Sequence, residues 1–235
     1  MNMNYLLGLS AAFLVAGCGA GTAVLDTREF TDAFPEDKAD LGPTGRNRYF
    51  ILEPGYFWIF ENQDKQGKNL RVTYTILDET QKIDGVEVRP MESREVLDGK
   101  LKEVTRDYFA ILKKTNNVYY FGEDVDIYKD GKVVSHDGTW ISGKKGARYG
   151  LMVPAVPLLG DRHYQEIAPG VARDRVETLS LTEVVETPVG TFREVLKQEE
   201  TNPEEPGNVD TKYYAPGVGM VKEEGSMVLV KHGKK

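Results

Sequence analysis

Two short groups of side chains in this chain could bind a metal ion or take part in acid–base chemistry. Glu123, Asp124 and Asp126 place three carboxylates close together, and His163 precedes Glu166 by three residues. Carboxylate oxygens are the ligands that calcium prefers, and zinc is commonly bound by histidine together with a carboxylate. Convergence of either group in the fold would provide the ligands for a metal-assisted hydrolase.

The spacing of these residues argues against both metal sites. A calcium loop of the EF-hand type requires a glycine at its sixth position and a distal glutamate, and the segment that begins at Glu123 lacks this pattern. In a strand, residues three apart point to opposite faces, so His163 and Glu166 do not share a metal. We therefore expect no metal and no cofactor, leave catalytic residues unassigned, and favour a non-enzymatic role. A metal-assisted periplasmic hydrolase is the alternative.

The only cysteine has a different chemical role. Cys18 follows a short apolar run and four residues that suit cleavage by a signal peptidase: Leu14, Val15, Ala16 and Gly17. The run is too short to cross a bilayer, which needs about 20 residues, and this predicts a cleaved signal peptide over residues 1–17. The segment resembles the signal peptide and lipobox of bacterial lipoproteins. That resemblance implies that the Cys18 thiolate accepts a lipid carrying acyl chains such as palmitate.

Lipidation at Cys18 would make a membrane one partner of the chain, because two or three acyl chains hold a protein stably at a bilayer. Gly19 follows the cysteine, where an aspartate would imply retention at the inner membrane. The resemblance therefore implies a cell-envelope protein, at the outer membrane and facing the periplasm in a Gram-negative host. Residues 18–47 are predicted to form a flexible tether, and residues 48–235 a single β-rich domain.

Charge restricts the other partners. The chain has 235 residues and a formal net charge of −7. This acidic balance argues against a nucleic-acid partner, because phosphate binding requires clustered lysine and arginine. Without a second thiol, the sequence also excludes disulfides within the chain and zinc–thiolate sites. An apolar ligand or an envelope protein is the partner that we expect.

The local pattern is that of strands joined by tight turns. Leu70, Val72, Tyr74 and Ile76 alternate with polar residues, which predicts a strand with one buried face. Asp-Gly pairs provide the positive φ angles of hairpin turns. They recur between apolar segments, at Asp84-Gly85, Asp98-Gly99, Asp130-Gly131 and Asp137-Gly138. We therefore predict an all-β fold with little helix, in which successive hairpins form a curved antiparallel sheet, an open barrel or a sandwich.

One segment departs from the strand pattern. Residues 151–160 are apolar but contain Pro154 and Pro157, and proline removes a donor from a β-ladder, so this segment is not a central strand. An apolar loop must be buried against something. It either completes the core or covers an apolar cavity as a lid. Seven residues form the predicted ligand or lid region: Trp140, Leu151, Met152, Val153, Val156, Leu158 and Leu159.

Several longer motifs carry a resemblance to a known group of proteins. They are Val118-Tyr119-Tyr120-Phe121-Gly122-Glu123-Asp124, Gly138-Thr139-Trp140, Tyr164-Gln165-Glu166 with Pro169-Gly170, and Lys212-Tyr213-Tyr214-Ala215-Pro216-Gly217-Val218-Gly219. From about Tyr49 to Val221 the chain resembles a family of uncharacterised β-rich bacterial envelope lipoproteins. The resemblance implies no particular activity. The expected function is therefore binding of an apolar ligand or an envelope partner, and a scaffold in an envelope complex is a further alternative.

Overall fold

The computed structural model describes residues 29–61, 69–223 and 227–235. Within these ranges no helix is long and apolar enough to cross a membrane. The elements are a 3-10 helix at Lys38–Asp40 and strands β1 Leu41–Gly42, β2 Gly45–Asn47, β3 Phe50–Leu52, β4 Tyr56–Glu61, β5 Leu70–Ile76, β6 Gln81–Ile83, β7 Val86–Leu97, β8 Lys100–Leu112, β9 Val118–Lys129, β10 Lys132–Ser135, β11 Trp140–Ile141, β12 Arg148–Val153, β13 Arg162–Tyr164, β14 Glu166–Ile167, β15 Arg175–Thr187, β16 Gly190–Thr201, β17 Val209–Ala215, β18 Gly219–Glu223 and β19 Met227–Lys234.

The strands form an antiparallel sheet that nearly closes into a barrel, which confirms the all-β prediction. Most neighbours in the sheet are also neighbours in sequence, and β19 returns to pair with β4. One seam interrupts the wall. There β12 pairs with the short β14 only at Arg148 and Tyr149, while β13 pairs with β15. Closure leaves each long strand with one face inside the barrel and one face outside.

Three of the Asp-Gly pairs form the predicted hairpin turns. Asp84-Gly85, Asp98-Gly99 and Asp130-Gly131 all have two positive φ values, and they join β6 to β7, β7 to β8 and β9 to β10. This is the backbone of a type I′ turn, whose twist matches that of the flanking strands. The fourth pair differs, because only Gly138 has a positive φ there. It connects β10 and β11, which both pair with β9 and not with each other.

A short hairpin closes one end of the barrel. Strands β2 and β3 pair only with each other, and Tyr49 and the three residues of β3 are almost completely buried. The amide of Asn47 donates to the backbone oxygens of Asn116 and Pro154 at 2.9 and 3.1 Å. These contacts fix the hairpin beside the turn between β8 and β9, so this end of the barrel is filled with apolar side chains.

A second apolar cluster lies on the outer face of β7, β8 and β9, where it includes Val88, Tyr108 and Phe121. Residues 34–42 cover it, with Leu41 buried and Phe34 packed at its edge. Strand β1 also pairs with the end of β8. Part of the segment that the sequence assigns to a flexible tether therefore contacts the barrel wall.

Candidate ligand-binding cavity

The barrel contains a cavity of about 470 Å³. This volume lies within the usual range for small-molecule sites, roughly 300–1,000 Å³. Phe50 of the β2–β3 hairpin lines one end of the cavity together with Trp58 and Phe109, and we refer to these three residues as the floor. At the opposite end the cavity is lined by loop residues that follow β14 and β16, among them Ala172, Asn202 and Asn208. Because Arg175 pairs with Thr201, these two loops lie at the same end of the barrel, and we refer to that end as the mouth.

The floor of the cavity is aromatic. Phe50 from the closing hairpin lies with its ring centroid 4.9 Å from that of Phe109 and 6.3 Å from that of Trp58. Phe109 in turn stacks on Tyr120 at 5.0 Å. The Trp58 indole N–H donates to the carbonyl of Val218 at 2.7 Å, so its polar atom is satisfied and its ring faces the cavity as apolar surface. Such a floor favours an apolar part of a ligand.

Carboxyl groups line the cavity between the floor and the mouth. Asp107 on β8 and Glu123 on β9 are direct cross-strand partners, and Asp107 Oδ1 accepts a hydrogen bond from the Tyr120 hydroxyl at 2.7 Å. Tyr120 and Glu123 are three residues apart and would lie on opposite faces of a regular strand. A bulge places both inside, because Tyr108 pairs with Gly122 and Phe109 with Tyr120.

Gly122 is required at this bulge. Its φ is 153°, and a Cβ atom there would lie 2.8 Å from the carbonyl oxygen of Trp140. Bulges redirect side chains in this way because the extra residue changes the alternation of the faces. The local sequence Tyr120-Phe121-Gly122-Glu123 thus brings a carboxylate into the barrel beside the tyrosine that donates to its neighbour Asp107.

Burial raises the pKa of these carboxyls, because the charged form loses its hydration. The pKa of Asp107 is raised to about 6, mainly by burial, and that of Glu123 is raised well above its ordinary value by burial and by the nearby Asp107 and Glu103. Beside the mouth, the pKa of Asp174 is raised to about 6 for the same reason. Burial and the neighbouring Asp174 also raise the pKa of Glu166 well above its ordinary value.

Lys212 is the one cationic side chain among the described residues that line the cavity. Its Nζ lies 2.7 Å from Glu200 Oε1, so it forms an ion pair inside the barrel. Burial tends to lower the pKa of Lys212, but the carboxylates around it raise that pKa well above the ordinary value. The lysine is therefore charged and already paired with a carboxylate.

The residues of the predicted lid region lie in different places. Met152 lines the cavity, Val153 is fully buried in the main core, and Leu151 packs against the outer cluster. Trp140 is buried, with its ring 5.1 Å from that of Tyr120.

Strand β12 ends at Val153 immediately before Pro154, and none of the described residues 154–161 lines the cavity. Three side chains of that loop are exposed: Val156 at 75%, Leu158 at 60% and Leu159 at 71%.

The two groups considered for metal binding are each divided by the fold. Glu123 points into the barrel, whereas Asp124 accepts a hydrogen bond from Tyr108 at 2.5 Å and Asp126 lies 3.0 Å from His136. Glu166 lines the cavity, and His163 is 3% exposed but does not line it. Across the described ranges, no cluster of three or more His, Cys, Asp or Glu side chains could hold a metal ion. Cys18 and residues 14–17 lie outside the described residues.

Sequence reasoning named two of the interior carboxyls, Glu123 and Glu166, but as members of two separate candidate metal sites and not as parts of one cavity. In β8, Glu103, Thr105 and Asp107 alternate with Val104, Arg106 and Tyr108, and a face made only of polar residues normally indicates exposure to solvent. In this barrel the polar face lines the cavity and the apolar face is covered from outside. The period-two pattern correctly groups residues by face, but it contains no information on which face is enclosed.

Comparison with known proteins gives little further guidance. No protein-family model matches the chain, and no curated protein matches it. Among solved structures, a Parabacteroides distasonis ATCC 8503 protein described as a "putative lipoprotein" aligns with 16% sequence identity and a TM-score of 0.31. The alignment covers 81% of this chain and 100% of that protein. With a TM-score this low, the match supports no conclusion about function.

Proposed function

We propose that this protein is a lipid-anchored, non-enzymatic binding protein of the bacterial envelope that holds a small ligand inside its barrel. The observation that carries the proposal is the cavity of about 470 Å³ with an aromatic floor and a polar wall. Pockets of this kind, with apolar surface and a few convergent polar groups, are typical of small-molecule sites. The expectation of an apolar ligand is supported by the floor around Phe50, Trp58 and Phe109.

A fluorescent probe tests occupancy of the cavity. N-phenyl-1-naphthylamine is uncharged at neutral pH and becomes fluorescent in apolar surroundings. We expect the full chain carrying Cys18→Ser to bind it in one-to-one, saturable fashion. Ala172→Trp places a bulky side chain at the mouth and should weaken binding, whereas Val189→Trp in the exposed turn between β15 and β16 should leave it unchanged. Equal binding by both variants would contradict the proposal that the cavity is the site.

The anchor is a separate part of the proposal and has its own test. It is supported by Cys18, by the four residues before it and by the short apolar run in the sequence. Two or more acyl chains would hold the protein at a membrane, in the outer membrane and facing the periplasm if the host is Gram-negative. We expect the unmodified chain in the membrane fraction of its cells and Cys18→Ala in the soluble fraction. Membrane retention of the Cys18→Ala chain would exclude lipidation as the anchor.

A further inference from the structure

The cavity contains many more carboxyl groups than cations. Ten carboxyl side chains line it: Glu95, Glu103, Asp107, Glu123, Glu166, Asp174, Glu200, Glu205, Asp210 and Glu223. The one lysine among the described lining residues, Lys212, is paired with Glu200. Carboxylates without a cationic partner are costly to bury, because each loses its hydration without compensation. Among the described residues, Asp107, Glu123 and Glu103 form no ion pair, so negative charge exceeds positive charge in this part of the cavity.

Neutral groups satisfy several of these carboxyls only in part. Asp107 accepts hydrogen bonds from the hydroxyls of Tyr120 and Thr105, and Glu166 accepts the backbone N–H of Asp174 at 2.7 Å. Hydrogen bonds from hydroxyl and amide groups stabilise a carboxylate but supply no charge. At neutral pH, the negative charge of these carboxyls can be neutralised either by bound protons or by a bound cation.

Two buried acceptors on the interior face of the barrel also lack a donor. Gln198 is the cross-strand partner of Lys212, so its side chain lies on the interior face, and it is 1% exposed. Its Oε1 has no hydrogen-bond partner. His163 lies opposite Val176, which lies opposite Glu200, so it belongs to the same face, and its Nε2 is also unpartnered. Buried polar atoms are normally paired. Neither residue lines the cavity, and the N–H groups at Trp140 Nε1 and Arg173 Nε have no hydrogen-bond partner either, so these atoms do not indicate whether the ligand is a donor.

The apolar surface of the cavity limits the kind of cation. Phe50, Trp58 and Phe109 form the floor, and four methionines add flexible apolar contacts: Met91, Met152, Met220 and Met227. Methionine side chains adapt to irregular apolar ligands, and aromatic rings also attract cations. A bare metal ion would leave this surface unused, and the described residues offer no cluster of three metal ligands.

We infer that the ligand is an amphipathic organic cation, with an ammonium group held by Asp107, Glu123 and Glu103 and an apolar segment against the aromatic floor. This inference rests on the proposed binding function. An ammonium group supplies positive charge to these three carboxyls, and its N–H groups can donate to their oxygen atoms. The arrangement of the site fits entry with the apolar segment first, since acidic side chains such as Glu205 and Asp210 surround the mouth.

Binding should release protons. Burial raises the pKa of Asp107 and of Glu123, and a cation placed beside them would lower both. The titratable and charged groups that face this pair from the surrounding strands and loops are Tyr74, Glu95, Glu103, Tyr120, Glu166, Asp174, Glu200, Glu205, Asp210, Lys212, Tyr214 and Glu223. Eight of these twelve groups are carboxylic acids, three are tyrosines, and Lys212 is already paired with Glu200, so the surrounding charges also favour binding of a cation.

Isothermal titration calorimetry of the full chain carrying Cys18→Ser tests the inference with three probes. They are n-decylammonium, uncharged n-decanol of matched length, and calcium chloride. We expect n-decylammonium to bind at least about tenfold more tightly than n-decanol. Its binding enthalpy should change between two buffers of different ionisation enthalpy at pH 7, which reports proton release. Calcium should not compete with it at equal concentration.

Substitutions in the cavity test which carboxylates bind the ammonium group. Asp107→Asn with Glu123→Gln removes two carboxylates while keeping their shapes, and should reduce n-decylammonium affinity to that of n-decanol. Retained n-decanol binding in this variant shows that the barrel still folds. The matched control, Glu186→Gln, removes one exposed carboxylate on β15 and should change neither affinity.

The outcomes separate the two proposals. Equal binding of n-decanol and n-decylammonium would contradict the inference that the ligand is a cation, but it would still support a binding function for the cavity. Displacement of n-decylammonium by calcium would also overturn it, in favour of a metal site. Failure of all three probes to bind would overturn both this inference and the proposed function.

Discussion

Asp107 and Glu123 face each other across β8 and β9 inside the barrel, and the Tyr120 hydroxyl donates to Asp107 at 2.7 Å. Two adjacent buried carboxyls cannot both ionise without a large cost, because each raises the pKa of the other. Because of this pair, the free energy of unfolding should depend on pH. A positively charged ligand should also bind the cavity more tightly than an uncharged one.

The first prediction concerns Asp107→Asn. The pKa of Asp107 is raised from 3.8 to about 6, so the folded chain binds its proton more tightly than the unfolded chain does. The stabilisation is fully present below pH 3.8 and is lost as pH rises through 6. Asparagine does not titrate. We therefore expect the free energy of unfolding of Asp107→Asn, relative to the unmodified chain, to rise by on the order of 1–3 kcal/mol from pH 4 to pH 7.

Urea unfolding at a series of pH values measures this difference. The exposed Glu186→Gln provides the control and should give a curve parallel to that of the unmodified chain. A parallel curve for Asp107→Asn as well would show that this carboxyl has the same pKa in the folded and unfolded states.

The second prediction concerns His163, whose side chain donates to the backbone of Met152. Burial lowers its pKa from 6.5 to about 4, so the unfolded chain takes up its proton first as pH falls. The stabilisation from neutral His163 is present above pH 6.5 and is lost as pH falls through 4. We expect His163→Asn, which keeps a donor near Nδ1, to destabilise the chain more at pH 7.5 than at pH 4.5. Chemical denaturation at both values tests this, and a constant difference would contradict it.

The third prediction concerns Gly150, at the seam of the barrel. A Cβ atom there would lie 2.4 Å from the carbonyl oxygen of Tyr164 and 2.6 Å from backbone atoms of Gln165. Backbone cannot yield as a flexible side chain does, so Gly150→Ala should destabilise the chain by about 3 kcal/mol. Because Gln165 lines the cavity, the substitution should also weaken binding of N-phenyl-1-naphthylamine.

Gly233→Ala is the matched control for Gly150→Ala. Its added Cβ would meet the Phe57 ring at 3.5 Å, an ordinary contact. We expect its thermal midpoint to remain close to that of the unmodified chain. Equal midpoints for the two glycine variants would show that the seam can open to accommodate a side chain.

The fourth prediction concerns the ion pair inside the barrel. Lys212→Met leaves Glu200 without its cation and should destabilise the chain by about 3 kcal/mol, since the cost of an unpaired buried charge is high. Adding Glu200→Gln should recover part of that loss. A double-mutant cycle by urea unfolding measures the coupling. The exposed pair of Lys114 and Asp40 provides the comparison, and Lys114→Met should have little effect.

The local features of the fold could be predicted from particular residues. Three Asp-Gly pairs form type I′ turns because glycine and aspartate tolerate the positive φ that such turns need. Pro154 ends β12 because proline has no N–H to donate to the ladder. Both rules depend only on backbone chemistry within a few residues, so they hold without knowledge of the tertiary structure.

The candidate site could not be predicted in the same way. The Gly122 bulge that places Tyr120 and Glu123 on one face depends on pairing with β8, and the shared cavity depends on strands as distant as β7 and β18. Asp124 and Asp126, next to Glu123 in sequence, lie outside the barrel with Tyr108 and His136. Proximity in the sequence groups Glu123 with Asp124 and Asp126, whereas in the fold its neighbouring carboxyl is Asp107.

By itself the sequence determined an all-β chain of hairpins, with an acidic balance and a single cysteine in a segment that resembles a lipoprotein signal. Only the tertiary structure decided that the polar faces of β7, β8 and β9 enclose a cavity while their apolar faces are covered from outside. The physical reason is that alternation in a strand fixes which side chains share a face, whereas closure of the sheet fixes which face is inside.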